Sequence, residues 1–360
     1  MAISYLLYVS LLAVSWLFAG LAERKEDKRF VWVIILLLTL IAGFRHYTVG
    51  IDTSNYLLKF DLISYGLSDF AYGLERSFRA MCYGILKLFP SNTVILVLMA
   101  FITNFCIFTR LWEMRKAVSF STATLCYYMA FFFLTMNVMR QFTAIGILFF
   151  GSRYLVKHQT LRYLLAVFVA TLFHQSALLA VSLLAFDVLR WKELPHIHRL
   201  VYLGAACCSP LLIWFVLQRL DRYIKYLSEI KVDFGFMVPL KIAVFGFALL
   251  FVFCLYGKHR HFPQWDALSL AEKNTVYLTC LCYTIGLCLM FGSYFIPVLN
   301  RVSWYFSIFE CVFWGVMTKT NNTLHRYAFL LCAIAIVGLG FVTAMTGNAQ
   351  GTMPYLFFWQ

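Results

Sequence analysis

Three arginines stand at or inside otherwise apolar stretches of the sequence: Arg45, Arg140 and Arg301. The planar guanidinium of arginine binds two phosphate oxygens at once and keeps its charge at any working pH. If these side chains emerge on one face of the protein, they form a clamp for a diphosphate. The alternative is that each one snorkels, with its stem among apolar groups and its charge in the headgroup layer. Arg140 suits snorkelling least, because Gln141 follows it inside an apolar hairpin.

Three further side chains are candidates for acid–base work: Asp52, His174 and Glu310. Ionisable groups at membrane depth are costly to bury and are therefore functional candidates by default. The imidazole of a histidine ordinarily titrates near neutrality, which suits a general base, although a lone histidine on an apolar face, such as His174, is also a common hydrogen-bonded core residue. Asp52 is either a base, an acceptor for a sugar hydroxyl, or a turn residue bonded to its own backbone. Glu310 is either catalytic or paired with a neighbouring arginine.

The elements that position these residues follow from the composition. Of the 360 residues, 62% are hydrophobic and 13% are charged, and the mean hydropathy is +0.79. A soluble domain carries about 25% charged residues, so a large soluble catalytic domain is excluded. A porin-type barrel is excluded too, since its strands are about 10 residues long and alternate in polarity. We predict an all-α, polytopic helical membrane protein with about 10–12 transmembrane or re-entrant segments, and residues 1–360 as a single integral membrane domain.

The net charge of +14 comes from 30 Lys and Arg against 16 Asp and Glu. Short cytoplasmic loops rich in Lys and Arg produce such an excess in a membrane protein. No basic stretch is long enough to follow a phosphate backbone, so we expect no nucleic-acid partner. No second histidine or carboxylate stands three or four residues from His174, so we expect no metal site.

Apolar runs predict the helices. They span 2–22, 30–44, 92–111, 120–136, 139–156, 199–217, 239–256, 272–291, 302–317 and 327–346. Two further stretches are ambiguous, because 76–89 is amphipathic and 162–189 is too long for one upright crossing. Loop charge favours a cytoplasmic position for 23–29, 110–116, 153–162, 187–199, 257–273 and 318–326. This orientation requires 162–189 to be a re-entrant pair of half-helices and 76–89 to be interfacial or re-entrant. A simple crossing of 162–189 is the alternative, and it reduces the difference in basic residues between the two sides of the membrane.

Two longer loops, 45–75 and 218–239, then face the side opposite the cytoplasm. The second loop alternates basic and aromatic residues, which predicts a short amphipathic helix lying on the membrane surface. Arg222 and Lys225 in this loop are further candidates for binding an anionic substrate. Tyr56 in the first loop offers a ring that can stack against a sugar.

Four segments in order resemble the Wzy-type O-antigen polymerases of the EpsG-like family. They are FRHYTVGIDTSNY (44–56), MRQFTAIGILFFGSRYLVK (139–157), LFHQSALL (172–179) and NRVSWYFSI (300–308). The likeness covers about residues 1–320 in order and hydropathy, and nothing after 320 can be matched. The family-like positions are Arg45, Gly50, Asp52, Tyr56, Arg140, Gln141, His174, Ser176, Arg301 and Tyr305.

The resemblance implies a glycosyltransferase of the bacterial inner (cytoplasmic) membrane. Such a protein joins undecaprenyl-diphosphate-linked oligosaccharide repeat units on the periplasmic face, in lipopolysaccharide or other surface polysaccharide biosynthesis. It implies that Gln141, Tyr56 and Tyr305 bind substrate beside the arginines. Because the donor is already activated, no cofactor is expected. The expected partners are the lipid-linked oligosaccharide and the bilayer, with a chain-length regulator and a flippase as further candidates.

Three other functions are compatible with parts of the sequence. A transporter or flippase for the same lipid-linked sugar predicts two related halves with broken helices in corresponding positions, which the sequence does not contain. A membrane acyltransferase would use His174 as a base on an acyl donor. A scaffold of the polysaccharide assembly complex would have no activity when purified alone.

Overall fold

The computed structural model describes residues 1–185 and 236–360. Within these ranges the chain is helical apart from its loops and an isolated bridge between Arg45 and Phe357, which confirms the predicted all-α fold. The α-helices are α1 (Ala2–Lys25), α2 (Arg29–Gly43), α3 (Thr53–Ser64), α4 (Arg76–Leu88), α5 (Asn92–Glu113), α6 (Phe120–Asn137), α7 (Met139–Leu155), α8 (Thr160–Phe173), α9 (Met237–Leu250), α10 (Lys258–His261), α11 (Leu270–Gly292), α12 (Val298–Ser307), α13 (Phe309–Met317) and α14 (Thr323–Thr346). Short 3-10 helices span Ser68–Phe70 and Gln175–Leu183, and a π-helix over Phe251–Leu255 continues α9.

The polytopic membrane architecture is also confirmed. Among the described helices, five are long and apolar enough to cross a membrane: α1, α5, α9 with its π-helical extension, α11 and α14. The apolar helices α2 and α8 are shorter. The predicted segment 199–217 and nearly all of the predicted loop 218–239 lie outside the described residues.

The loops collect at two ends of the helix bundle. At one end, called the Glu23 end, the Glu23 carboxylate accepts hydrogen bonds from Ser121 Oγ (2.9 Å) and Lys319 Nζ (2.9 Å). Asn274 Nδ2 donates to the carbonyl of Val156 (3.1 Å) at the same end. The described parts of the loops predicted to be cytoplasmic therefore lie together.

The opposite end, called the Glu75 end, is closed by the C-terminal segment 347–360. The backbone N–H of Gly50 donates to the carbonyl of Gly351 (2.7 Å), and Asn137 Nδ2 donates to the side chain of Gln350 (2.8 Å). The 24 residues of α1 span about 36 Å, so the two ends are separated by roughly the thickness of a bilayer.

The chain reverses direction at His174, as the re-entrant interpretation of 162–189 requires. α8 ends at Phe173, the backbone of His174 is extended (φ −155°, ψ 118°), and the 3-10 helix Gln175–Leu183 follows. Tyr163 Oη, near the start of α8, donates to the carbonyl of Ala180 (2.8 Å), so the two arms lie side by side. His174 therefore stands at the tip of a hairpin.

The structure divides one predicted helix and resolves one ambiguous stretch. The predicted helix 302–317 begins earlier, directly after Pro297, and divides at Ile308 into α12 and α13. There α12 meets α11 so closely that a Cβ on Gly286 would stand 2.9 Å from the backbone nitrogen of Ser307, which explains why the sequence has glycine there. The ambiguous stretch 76–89 forms α4, which buries one stripe at the Glu75 end: Phe78, Cys82 and Leu86.

Candidate active site

The centre of the candidate site is Glu75, the residue before α4. Its Oε1 lies 3.1 Å from His174 Nδ1 and accepts a hydrogen bond from the backbone N–H of Gln175 (3.3 Å). Its Oε2 forms an ion pair with Arg140. The side chains of Glu75 and Arg140 are each only 11% exposed. One carboxylate thus joins the first loop, the start of α7 and the tip of the hairpin at His174.

Arg140 lies in the first turn of α7, and its position is fixed from several sides. Its Nη2 donates to the carbonyl of Gly73 (3.0 Å), a residue whose positive φ of 79° favours glycine. The guanidinium carbon lies 5.7 Å from the ring centre of Tyr56 and 5.5 Å from that of Phe78, which are cation–π distances. Its Nε is buried and has no hydrogen-bond partner among the described residues.

The charges around Glu75 keep it ionised. Burial alone would raise the pKa of Glu75, but the hydrogen bond from His174 and the charge of Arg140 outweigh burial and hold this pKa below its usual range. An ionised carboxylate can only accept hydrogen bonds, so the imidazole must donate from Nδ1. A neutral His174 then carries its lone pair on Nε2.

Lys59 of α3 adds a second positive charge beside this group. A Cβ built on Gly73 would lie 3.9 Å from the Nζ of Lys59. Burial lowers the pKa of Lys59, and the charge of Arg140 lowers it further, whereas Asp52 raises it. The direction of these effects shows that Lys59 shares the electrostatic environment of Arg140 and Asp52.

The helix α12 brings Arg301 and Tyr305 to the same region. The Gln141 Nε2 donates to the carbonyl of Arg301 (2.6 Å), and the hydroxyls of Ser176 and Tyr305 lie 2.9 Å apart. These two contacts tie α12 to α7 and to the start of the 3-10 helix that follows His174. The guanidinium of Arg301 is exposed and has no hydrogen-bond or ion-pair partner among the described residues.

Arg45 and Asp52 lie at the edge of this region. Arg45 is buried, and its guanidinium donates to the Oγ1 of Thr53 (3.1 Å) and to the carbonyls of Ala42 and Met136. Burial lowers the pKa of Arg45 to about 10, which leaves it charged at neutral pH. Asp52 precedes α3 as its N-cap, but its carboxylate makes no capping hydrogen bond and is partly exposed.

Glu310 is separated from the Glu75 group. It is 2% exposed and lies in α13, beyond the division at Ile308, whereas Arg301 lies in α12. Its partners are Lys241 Nζ (2.8 Å) and the hydroxyl of Tyr283 (3.0 Å), so it pairs with a lysine where an arginine was expected. Arg222 and Lys225 lie outside the described residues.

Sequence reasoning missed two members of the group, Glu75 and Lys59. Glu75 closes the loop 45–75 and stands beside Arg76, so in the sequence it is typical of a solvated charge at the start of an amphipathic helix. The available signal was its position two residues after Gly73, a turn residue of that loop. Its two partners are 65 and 99 residues away in the chain, so their pairing is invisible in local spacing.

Comparison with known proteins identifies the family of the chain. The model of the EpsG family matches residues 28–357 of the chain. The match extends past residue 320, where the resemblance in the sequence motifs ended, and so includes most of the C-terminal segment 347–360. No curated protein and no solved structure matches the chain.

Proposed function

Because the chain belongs to the EpsG family, whose members are Wzy-like polymerases, we propose that it joins lipid-linked oligosaccharide repeat units into a surface polysaccharide such as O-antigen. The family supports a membrane protein of the polysaccharide-polymerase type. The proposed donor is an oligosaccharide on undecaprenyl diphosphate. The proposed location is the bacterial inner membrane, with the Glu75 end facing the periplasm.

The observation that carries the proposal is the pairing of Glu75 with His174. A carboxylate that accepts from Nδ1 holds the imidazole in one tautomer, with Nε2 ready to accept a proton. We propose that His174 is the general base. An acceptor hydroxyl attacks the anomeric carbon of the donor, its proton passes to Nε2, and the bond from that carbon to the diphosphate breaks. The diphosphate leaves with the electron pair.

Arg301 is the proposed ligand of the diphosphate. Its guanidinium is exposed, and it lies about one helical turn before Tyr305, the α12 residue that contacts Ser176. A bidentate, charge-assisted bond to phosphate oxygens would stabilise the leaving group. Arg140, which is paired with Glu75 and 11% exposed, adds positive charge to the site. Arg45 has its donors occupied within the fold, so we assign it to holding the first loop, apart from the proposed clamp.

The remaining candidates have lesser proposed roles. Tyr56 and Tyr305 would line the sugar site, and Gln141 would hold α12 at the correct distance from α7. Asp52 is a second candidate base, because its carboxylate is partly exposed and makes no capping bond. A chain-length regulator and a flippase are the proposed protein partners.

A strain that lacks the gene tests the proposed function. We expect the polysaccharide ladder to collapse to a single repeat unit that still reaches the cell surface, because export does not need the polymerase. A flippase would behave differently, since its loss leaves the lipid-linked repeat unit on the cytoplasmic side and no repeat unit at the surface. The purified protein should also lengthen a lipid-linked repeat unit without other proteins, which a scaffold could not do.

A further inference from the structure

A large cavity lies at the Glu23 end, opposite the candidate active site. Its volume is about 670 Å³, which is within the usual range of small-molecule sites. Four parts of the chain line it: the end of α1, the turn between α5 and α6, the loop between α10 and α11, and the turn between α13 and α14 together with the start of α14. None of these parts belongs to the Glu75 group, so the cavity is a separate site.

The charged side chains of the cavity are mostly basic. Arg24, Lys116, Lys319 and Arg326 line it, against a single carboxylate, Glu23. That carboxylate is already satisfied, because it accepts from Lys319 Nζ and from the hydroxyls of Ser119 and Ser121.

Arg24 and Arg326 keep free donors. The guanidinium of Arg24 is exposed and has no hydrogen-bond or ion-pair partner in the described part of the chain. Arg326 uses Nε and Nη2 on the carbonyl of Thr320, which leaves its Nη1 available. The cavity therefore offers an excess of positive charge to an anion.

The same cavity has an apolar side that reaches the membrane-facing surface. Trp16 and Leu17 of α1 line it and are 42% and 60% exposed, and Leu330 of α14 lines it from the other side. Both helices are long and apolar enough to cross a membrane, so these side chains lie where acyl chains would run. A soluble anion would make no favourable contact with these apolar side chains, whereas a phospholipid has both a phosphate and acyl chains.

We infer that this cavity binds the phosphate of an anionic phospholipid, from the leaflet at the end opposite Glu75. Basic pockets between transmembrane helices are suited to such headgroups, because Lys and Arg side chains near the membrane surface attract anionic lipids. Arg24 and Arg326 are the proposed phosphate ligands, and Trp16 and Leu17 flank the acyl chains. The inference does not depend on the reaction proposed for the Glu75 end.

The test measures retention of phosphatidylglycerol by the purified protein, by native mass spectrometry and by the shift in thermal unfolding midpoint that the lipid causes. Phosphatidylcholine is the neutral comparison. The double variant Arg24→Gln/Arg326→Gln should bind phosphatidylglycerol about thirtyfold more weakly. The matched control is Lys25→Gln/Lys28→Gln, which removes the same charge at the same end from residues that do not line the cavity, and it should weaken binding far less. The single variant Arg24→Gln breaks no contact among the described residues and should give part of the loss, even if the double variant misfolds.

Two results would overturn the inference. Equal weakening in both double variants would mean that the lipid responds to net charge alone and that the cavity is not its site. Equally effective stabilisation by glycerol phosphate or inorganic phosphate would mean that the ligand is a soluble anion and that the apolar wall contributes nothing.

Discussion

The carboxylate of Glu75 and the imidazole of His174 are paired across 99 positions of sequence, with Glu75 Oε1 3.1 Å from His174 Nδ1. The pair exists because α8 ends at Phe173 and the chain turns back at His174, which holds the ring at the tip of a hairpin. Arg140 takes the other carboxylate oxygen, so Glu75 is fixed from both sides. The proposed base and a charged arginine thus bind the same carboxylate.

Glu75→Gln should reduce polymerisation about a hundredfold or more, since the amide keeps the shape but loses the charge that supports a protonated His174. The fall should appear in kcat, with little change in the KM for the lipid-linked donor. The measurement is initial rate against donor concentration with purified protein. Asp69→Asn is the matched control, because Asp69 is an exposed carboxylate of the same loop whose ion-pair partner is Arg79, and it should retain the wild-type rate. A wild-type rate for Glu75→Gln would remove this residue from the mechanism.

Arginine-to-lysine changes should separate a phosphate clamp from snorkelling. Arg301→Lys keeps the charge but loses the bidentate fork, so it should shorten the polysaccharide ladder nearly as much as Arg301→Ala. Arg140→Lys should also fail, because one ammonium group replaces the separate bonds to Glu75 and Gly73. Arg76→Lys is the control, since Arg76 is exposed at the start of α4. Full ladders from Arg301→Lys and Arg140→Lys, at wild-type protein levels in the membrane, would exclude the clamp.

Acid should destabilise the Glu75 end. The pKa of Glu75 is lower in the folded protein than in the unfolded chain, so its ion pairs contribute stability above the unfolded pKa of about 4.3 and lose it as the pH falls further. The thermal unfolding midpoint in detergent should therefore fall between about pH 5 and pH 3. Glu75→Gln should show a smaller fall over the same range. Identical pH profiles for the two proteins would contradict the proposed ion pair.

Labelling with a membrane-impermeant thiol reagent tests which end of the helix bundle faces the periplasm. Single cysteines are introduced into a cysteine-free protein, and the cells are intact except for a permeable outer membrane. Tyr72→Cys lies in the first long loop at the Glu75 end, where Tyr72 is 74% exposed, and should react from the periplasm. Lys28→Cys, at the Glu23 end, should react only after the inner membrane is opened. The reverse pattern would place the Glu75 group in the cytoplasm. A cysteine at Glu193, outside the described residues, should be protected as Lys28→Cys is, if the hairpin at His174 is re-entrant.

The sequence predicts the helices well because each apolar run is long and ends at charged or turn residues. α5, for example, was predicted over 92–111 and spans Asn92–Glu113. The predicted helix 302–317 divides at Ile308, next to the close approach of Ser307 to Gly286, and this tertiary contact is invisible in local sequence patterns.

The site was predicted less completely, for physical reasons. Arg140 and His174 stand out because a charge or imidazole in an apolar run is costly and visible. Glu75 and Lys59 lie in a polar loop, where charged residues are common and only tertiary contacts distinguish them. Glu310 stands out for the same reason as Arg140, but in the folded protein it pairs with Lys241. Lys241 lies in an apolar run, and nothing in the sequence shows that Glu310 is its partner.

The most direct test of the central claim is a double-mutant cycle on Glu75 and His174, measured as the initial rate at which purified protein lengthens a lipid-linked repeat unit. The wild type is compared with Glu75→Gln, with His174→Ala and with the double variant. The thermal unfolding midpoint of each variant should equal that of the wild type, so that differences in rate do not reflect unfolding. If Glu75 acts by orienting His174, we expect the double variant to be no slower than His174→Ala alone, because two residues that act as a unit do not give additive losses. A wild-type rate for His174→Ala, or single losses that multiply in the double variant, would contradict the proposal that this pair is the base.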